Sequence, residues 1–469
     1  MALGKKSFSK HSHLNFLPEV SREESKEKFM DARTVATQIL TQVIGQQRSL
    51  SDCLEKQLSR LNETRERALA QALCYGVLRW LPRLQAILNS LLTKPLKAKD
   101  CDIQVLLLLG LYQHLYLRIP AHAATAATVN VTRTLKKTWA TGLVNAVLRN
   151  FQRQGEALLT RVDADLSAKL AHPSWLLERL QVDWPSQWEA VTHANNSHPP
   201  LTLRVNTRCL SREAYFEHLQ KANIRGFPTL HTDCGITLET TPSGLTGTEG
   251  GISNLPGFTQ GWVSVQDGAA QLAATLLDVP PGTRVLDACA APGGKAAHLL
   301  ERYQIGTLLA LDNQPARLQK LADTLRRLNL SAELRCADAA QPETWWNGQA
   351  FERILLDVPC SGSGVIRRHS DIKYLRQPGD IATLAAQQAR LLEALWPLLV
   401  PSGKLLYVTC SIFAEENHLQ IKNFLATHPD ADEIVLVADW GHALPIGRQI
   451  LPGENNLDGF YYACLAKKT

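Results

Sequence analysis

No Cys-x-x-Cys pair occurs in this chain of 469 residues, although ten cysteines are scattered from Cys53 to Cys464. Close pairs are what a structural zinc site or a compact disulfide scaffold needs, so neither is expected and the thiols read as reduced. Long apolar runs are missing too. The longest, Ile103 to Leu117, is shorter than the ~20 residues of a membrane span and contains Gln104, Gln113 and His114, so it reads as a buried helix. Nothing near the start reads as a secretory leader, and five acids between Glu19 and Asp31 argue against a basic targeting peptide, so a cytoplasmic protein is expected. Acid is absent from one whole segment. Between Asp102 and Glu156 there is no Asp or Glu, while Arg118, Arg133, Lys136, Lys137, Arg149 and Arg153 supply a local charge of +6, equal to the net charge of the chain. A solvated face and contact with nucleic-acid phosphates both account for such a segment.

The length calls for several domains, and 45% hydrophobic residues suffices for ordinary cores. Residues 1–28 mix Lys5, Lys6, Lys10, Arg22, Lys26 and Lys28 with acids and little apolar surface, and read as a mobile tail. Residues 29–165 form an all-helical domain, since Val35, Ile39, Leu40 and Val43, then Leu69, Leu73, Val77 and Leu78, recur at helical spacing. Residues 166–255 read as a small α/β module. It has a helix from Trp175 and an alternating strand at Leu201 to Asn206, and closes in a Gly- and Thr-rich loop at Thr240 to Gly251. Trp184 and Trp188 are expected to pack in its core. Residues 256–469 form the third domain, opened by a strand at Trp262 to Val265 and a helix from Ala269 capped by Asp267.

That third domain is organised around Val285 to Lys295, a short apolar strand that runs through Ala290-Ala291-Pro292-Gly293-Gly294 into a helix. Glycines let backbone N–H groups approach a ligand at a helix N-terminus, which carries partial positive charge, so a nucleotide-like ligand fits there. Nineteen residues past Gly293 a second run ends in Asp312, the spacing at which doubly wound nucleotide folds place a ribose-binding carboxylate. Further runs end in Asp338, in Asp357-Val358-Pro359-Cys360, and in Thr409-Cys410-Ser411. Five runs followed by polar or reactive residues are what a doubly wound, mostly parallel sheet gives, because ligands bind outside the carboxyl ends of its strands.

Three motifs, Asp287-Ala288-Cys289-Ala290-Ala291-Pro292-Gly293-Gly294-Lys295, Asp357-Val358-Pro359-Cys360-Ser361-Gly362-Ser363-Gly364 and Tyr407-Val408-Thr409-Cys410-Ser411, occur in this order. Together they resemble the signature set of S-adenosylmethionine-dependent RNA cytosine-5 methyltransferases, bacterial enzymes of small-subunit ribosomal RNA among them. Gly-Leu-Tyr-Gln at 110–113, Arg-Ile-Pro-Ala-His at 118–122 and Gly-Leu-Val-Asn-Ala-Val-Leu-Arg at 142–149 resemble the NusB-like helical RNA-binding domain that precedes such enzymes. The resemblance implies a multi-domain chain with an all-α NusB-like domain, a small α/β RNA-binding module and a Rossmann-like methyltransferase domain. S-adenosylmethionine is then expected on Cys289, Ala290, Ala291, Pro292, Gly293, Gly294 and Lys295 together with Asp312, Asp338 and Asp357. The expected substrate is a cytidine in 16S ribosomal RNA, and the expected state is a monomer without metal or membrane contact.

Carbon 5 of cytosine is too poor a nucleophile to take a sulfonium methyl unaided. A thiolate that adds to ring carbon 6 pushes electron density onto carbon 5 and is eliminated after methylation. Cys360 and Cys410 both stand where strands should end in the cleft, and residue patterns alone leave open which of them attacks. The resemblance assigns attack to Cys410, from its Thr-Cys motif, and adduct release to Cys360; DNA cytosine methyltransferases attack with the Pro-Cys thiol instead. Asp357 could serve the cytosine amino edge or the cofactor. The loop after Cys360 reads as flexible and basic, with Arg367, Arg368 and His369 placed for RNA phosphates. Val358 and Ser370 replace the Ala and Pro that the family usually carries there. A non-catalytic ribosome-assembly factor is the alternative; loss of either cysteine would favour it, and both are present. A dinucleotide dehydrogenase would want Gly-x-Gly-x-x-Gly after the first strand, which is lacking, and amino-group methyltransferases usually carry Asn/Asp-Pro-Pro-Tyr/Phe where Asp357-Val358-Pro359-Cys360 has a thiol instead.

Overall fold

The computed structural model describes residues 30–239 and 251–469, so the tail at 1–28 and nearly all of the Thr240 to Gly251 loop lie outside the described residues. Asp31 starts the helical domain by accepting hydrogen bonds from the Arg33 and Thr34 N–H groups, which satisfies two free donors of the helix Ala32–Gln46. The helix Cys101–Tyr116 lies at the centre of this domain. Its residues from Val105 to Gln113 are all buried, because the neighbouring helices Ala32–Gln46, Leu81–Leu91, Ala121–Thr134 and Thr141–Val162 surround it.

In the module that follows, β1 (Leu201–Val205), β2 (Gly226–Pro228), β3 (Gly235–Leu238) and β4 (Val263–Val265) make an antiparallel sheet in the order β2-β3-β1-β4. This changes one expectation. The strand read as opening the third domain pairs instead with the module, with Leu203 opposite Val265 and Val205 opposite Val263. Its alternating composition specifies a strand but not which sheet accepts its hydrogen bonds. Trp184 packs inward as expected, and its indole N–H donates to the Ile412 carbonyl at 2.7 Å.

The third domain is built on β5 (Arg284–Asp287), β6 (Thr307–Asp312), β7 (Glu333–Cys336), β8 (Phe351–Asp357) and β9 (Leu399–Thr409), parallel in the order β7-β6-β5-β8-β9. Beyond β9 the sheet turns antiparallel through β13 (Phe460–Lys467), β12 (Arg448–Ile450) and β11 (His442–Ala443), while β10 (Ala431–Ile434) also pairs with β13. Both faces are covered, which explains the continuous apolar runs. Ile354, Leu356, Leu405 and Tyr407 pack with Leu392 and Phe424 on one face, and Leu355, Leu406 and Val408 pack with Ala273 and Leu277 on the other. Asp267 caps the helix Gly268–Leu277 as expected.

Candidate active site

Parallel pairing in register, Asp357 opposite Val408, brings the ends of β8 and β9 to one edge of the sheet. The Val358 N–H donates to the Val408 carbonyl and the Gly364 N–H to the Cys410 carbonyl, at 3.1 and 2.9 Å. These bonds hold Cys360 and Cys410 with their sulfurs 3.3 Å apart, each half-buried. The hydrogen bond to Cys410, then burial, drives the Cys360 pKa well above the usual thiol range, with the charge of Glu416 adding to it. At this distance either sulfur can donate to the other.

Glu416 is a residue that the sequence reading missed. It is fully buried and accepts from the Ser361 N–H at 2.8 Å, the Ser361 hydroxyl at 2.6 Å, the Gln388 amide at 3.1 Å and the Ser411 hydroxyl. One carboxylate thus clamps both cysteine loops. The only trace in the sequence is a serine after each cysteine and an acid five residues beyond Ser411. The loop after Cys360, read as flexible, is packed. Its Ser361 to Gly364 are buried, and a Cβ on Gly364 would fall 2.2 Å from the Gly459 carbonyl oxygen.

Around β5 the turn Cys289 to Gly293 enters the helix Gly294–Arg302, with Gly293 at φ 102°. The Lys295 ammonium lies 2.6 Å from the Asp357 carboxylate. Burial opposes its charge, but Asp357, with Cys410 and Asp287 adding, outweighs that and raises the Lys295 pKa. Burial pushes the Cys289 thiol up, helped by the surrounding carboxylates. Asp287, also passed over as a site residue, ends β5 fully buried, and neither carboxyl oxygen has a hydrogen-bond partner. Burial, then the nearby Asp357, pushes its pKa to about 8. Asp312 is buried at the end of β6, accepting from the Gln314 N–H at 3.0 Å with Arg317 at 3.4 Å. Asp287, Asp312, Asp357, Lys295 and the Cys289 turn therefore share one electrostatic neighbourhood. Asp338 stands beyond β7, where it caps the Ala340 N–H and pairs with Arg390, both at 3.0 Å.

Arg367 and Arg368 require a correction. Arg367 is only 2% exposed and pairs with Asp458, and Arg368 bridges Asp458 and Asp267 and donates to the Pro200 carbonyl at 3.1 Å. Both guanidinium groups are consumed within the protein because a buried carboxylate needs a cation. His369 alone of the three is exposed. A second buried pair links the module to the helix after β5 and its entering turn: Arg204 meets both oxygens of Glu301 at 2.8 Å and donates to the Gly294 carbonyl at 2.7 Å.

The acid-free segment frames a cleft of about 730 Å³ between the helices Ala121–Thr134 and Thr141–Val162, lined by His122, Asn130, Asn145, Arg149, Gln152 and Arg153 among others. Lys137 does not share in it. Its ammonium is held by Asp100 and Asp102 at 3.0 and 2.6 Å. Among the described residues, no cluster of three or more His, Cys, Asp or Glu could hold a metal, and no helix is long and apolar enough to cross a membrane.

Comparison with known proteins agrees with this architecture. Residues 274–466 match the family model described as 16S rRNA methyltransferase RsmB/F, residues 30–153 the NusB family, and residues 172–243 the ferredoxin-like domain of RsmF/B-like methyltransferases. Ribosomal RNA small subunit methyltransferase B of Pseudomonas putida is 49% identical over 439 residues, covering 93% of this chain and 99% of its own. The Escherichia coli protein of the same name is 43% identical, covering 94% and 100%. Among solved structures, PH0851 superposes with a TM-score of 0.77 at 22% identity, covering 93% of this chain and 99% of its own, which speaks for the fold alone. With its three segments matched in order and its relatives aligned nearly end to end, the chain belongs to the RsmB/F family of 16S rRNA methyltransferases.

Proposed function

We propose that this protein methylates carbon 5 of a cytidine in 16S ribosomal RNA, using S-adenosylmethionine and a transient bond between Cys410 and the base. The observation that carries this reading is the pair of thiols, 3.3 Å apart at the ends of adjacent parallel strands and beside the Lys295–Asp357 ion pair. S-adenosylmethionine, when bound, supplies an electrophilic methyl on a sulfonium. The orphaned carboxyl of Asp287 can give up its proton to pair with so cationic a ligand, and Asp312, ending β6, would take the ribose hydroxyls. The turn Cys289 to Lys295 would hold the cofactor, with Asp338 beyond the next strand on the nucleoside side. Asp357, more exposed than either Asp287 or Asp312 and fixed by Lys295, can reach the amino edge of the base.

In this reading the Cys410 thiolate adds to ring carbon 6, and carbon 5 takes the methyl group. A base then removes the proton from carbon 5, and the electron pair of that C–H bond expels Cys410. The Cys360 hydrogen bond steadies the Cys410 sulfur both as nucleophile and as leaving group, which gives Cys360 its part in release. The helical domain, through the cleft lined by Arg149 and Arg153, and the small module bind RNA and choose the target. Family membership supports ribosomal RNA as that target.

Cys410→Ala should abolish both methylation and any protein–RNA adduct. Cys360→Ser should leave methylated RNA attached through Cys410 as a denaturation-resistant complex on a gel. An adduct trapped by Cys410→Ala and not by Cys360→Ser would reverse the assignment. Bisulfite sequencing of 16S RNA with and without the protein identifies the cytidine.

A further inference from the structure

The segment that follows the Cys360 loop does not rest on the third domain alone. Asp371 accepts from the Leu50 N–H at 2.9 Å, and the Tyr374 hydroxyl donates to the Ile44 carbonyl at 2.8 Å. Between them lies Lys373, 2% exposed. Its ammonium donates to the Arg79 carbonyl at 2.6 Å and to the Ala171 carbonyl and Asn196 amide oxygen, both at 2.8 Å. All three acceptors are neutral oxygens, and burial, then the nearby Arg79, pushes the Lys373 pKa well down. A buried amine with no anion beside it costs stability, so its occurrence at this junction calls for a reason beyond packing.

Arg376 supplies that reason. Two residues past Tyr374 the chain turns back, and its guanidinium donates to the Ser361 carbonyl at 3.1 Å and the Cys360 carbonyl at 3.3 Å. The next residue of that loop, Gly362, sits at φ 74°. Glycine has no preference of its own for this conformation, so outside contacts, the Glu416 clamp and Arg376 among them, fix the loop that carries the Cys360 sulfur. We infer that Arg376 is a positioning residue for Cys360, and that the helical domain, by gripping Asp371 to Tyr374 with help from Ala171 and Asn196 of the small module, holds Arg376 in place. The domain read as recruiting RNA is then also part of the framework of the catalytic centre. The inference rests on the proposed pairing of Cys360 with Cys410, although its first readout does not depend on the reaction.

That readout is cross-linking. Diamide oxidises two neighbouring thiols to a disulfide and is itself reduced to the hydrazine, taking up both protons, and the rate depends on how often the two sulfurs meet. In the full-length protein, Arg376→Ala should slow Cys360–Cys410 disulfide formation, mapped by peptide mass spectrometry, by at least roughly tenfold, the scale of a sub-ångström to ångström misplacement. It should also accumulate the RNA adduct expected of Cys360→Ser while S-adenosylmethionine affinity stays as in the wild type; Arg376→Lys should restore part of both. Lys373→Met, and the milder Tyr374→Phe should the first fail to fold, should move both readouts in the same direction. Cross-linking and release at wild-type rates in Arg376→Ala would overturn the inference. Slow cross-linking in Arg376→Ala with wild-type behaviour in Lys373→Met and Tyr374→Phe would overturn the part assigned to the helical domain. If cross-linking slows as expected but Cys360→Ser traps no adduct, the positioning stands and the release role of Cys360 falls.

Discussion

Replacing Asp287 by Asn should make the protein more stable at neutral pH and less able to bind its cofactor. The carboxyl is fully buried, lacks hydrogen-bond partners and titrates near 8, chiefly through burial and then through Asp357. Because the folded value lies above the ordinary aspartate value of about 3.9, the folded chain keeps a proton that the unfolded chain releases. Its contribution to stability therefore falls as pH rises from about 4 to about 8. At roughly 1.4 kcal/mol per pH unit, the cost is about 1–2 kcal/mol at pH 5 and about 4 kcal/mol at pH 7. Asn, nearly isosteric with the protonated acid, escapes that cost. Urea unfolding of both proteins at pH 5, 6, 7 and 8 should show a stability difference that widens with pH in favour of the variant. Titration calorimetry with S-adenosylmethionine should show weaker binding, since the cationic ligand would draw the proton off Asp287 and pair with the resulting carboxylate, which Asn cannot supply. A stability difference that stays flat from pH 5 to 8 would refute the reasoning, because it would mean that Asp287 holds no extra proton in the fold.

Glu416→Ala leaves four buried donors without their acceptor. At roughly 1–3 kcal/mol for each donor left unsatisfied, with the two hydroxyls free to turn, the urea midpoint should drop by the equivalent of roughly 3 kcal/mol and methyl transfer should fall with it. Glu301→Ala strands the buried Arg204 and should cost roughly 3–5 kcal/mol, whereas the double variant Arg204→Met/Glu301→Leu should recover most of this in the same denaturation assay. Arg149→Ala and Arg153→Ala should each weaken RNA binding and lower its salt dependence by about one ion, while Lys137→Ala, already engaged by Asp100 and Asp102, should change it little; filter binding across salt concentrations checks both.

Much of this protein could be read along the chain, because the signals concerned are local. The helix Cys101–Tyr116 shows in an apolar run too short for a membrane, and the turn after β5 in its glycines and flanking strand. Four of the five parallel strands show as runs buried on both faces, the edge strand β7 being half-exposed, and each is followed by the residue that it carries to the sheet edge. Periodicity and turn chemistry operate over a few residues, so sequence determines them directly. Other features needed the fold. Val263–Val265 is plainly a strand, yet only its pairing with β1 assigns it to the small module. Arg367 and Arg368 look like free charge until Asp458, some ninety residues away, is found beside them. Glu416 has no motif of its own, and its importance arises because two loops fifty residues apart meet over it. The spacing of Cys360 and Cys410, the orphaned carboxyl of Asp287 and the grip of the helical domain on Lys373 belong to the same class. Each depends on partners brought together by chain reversal, and burial strengthens or perturbs such contacts in a way that no stretch of neighbouring residues encodes.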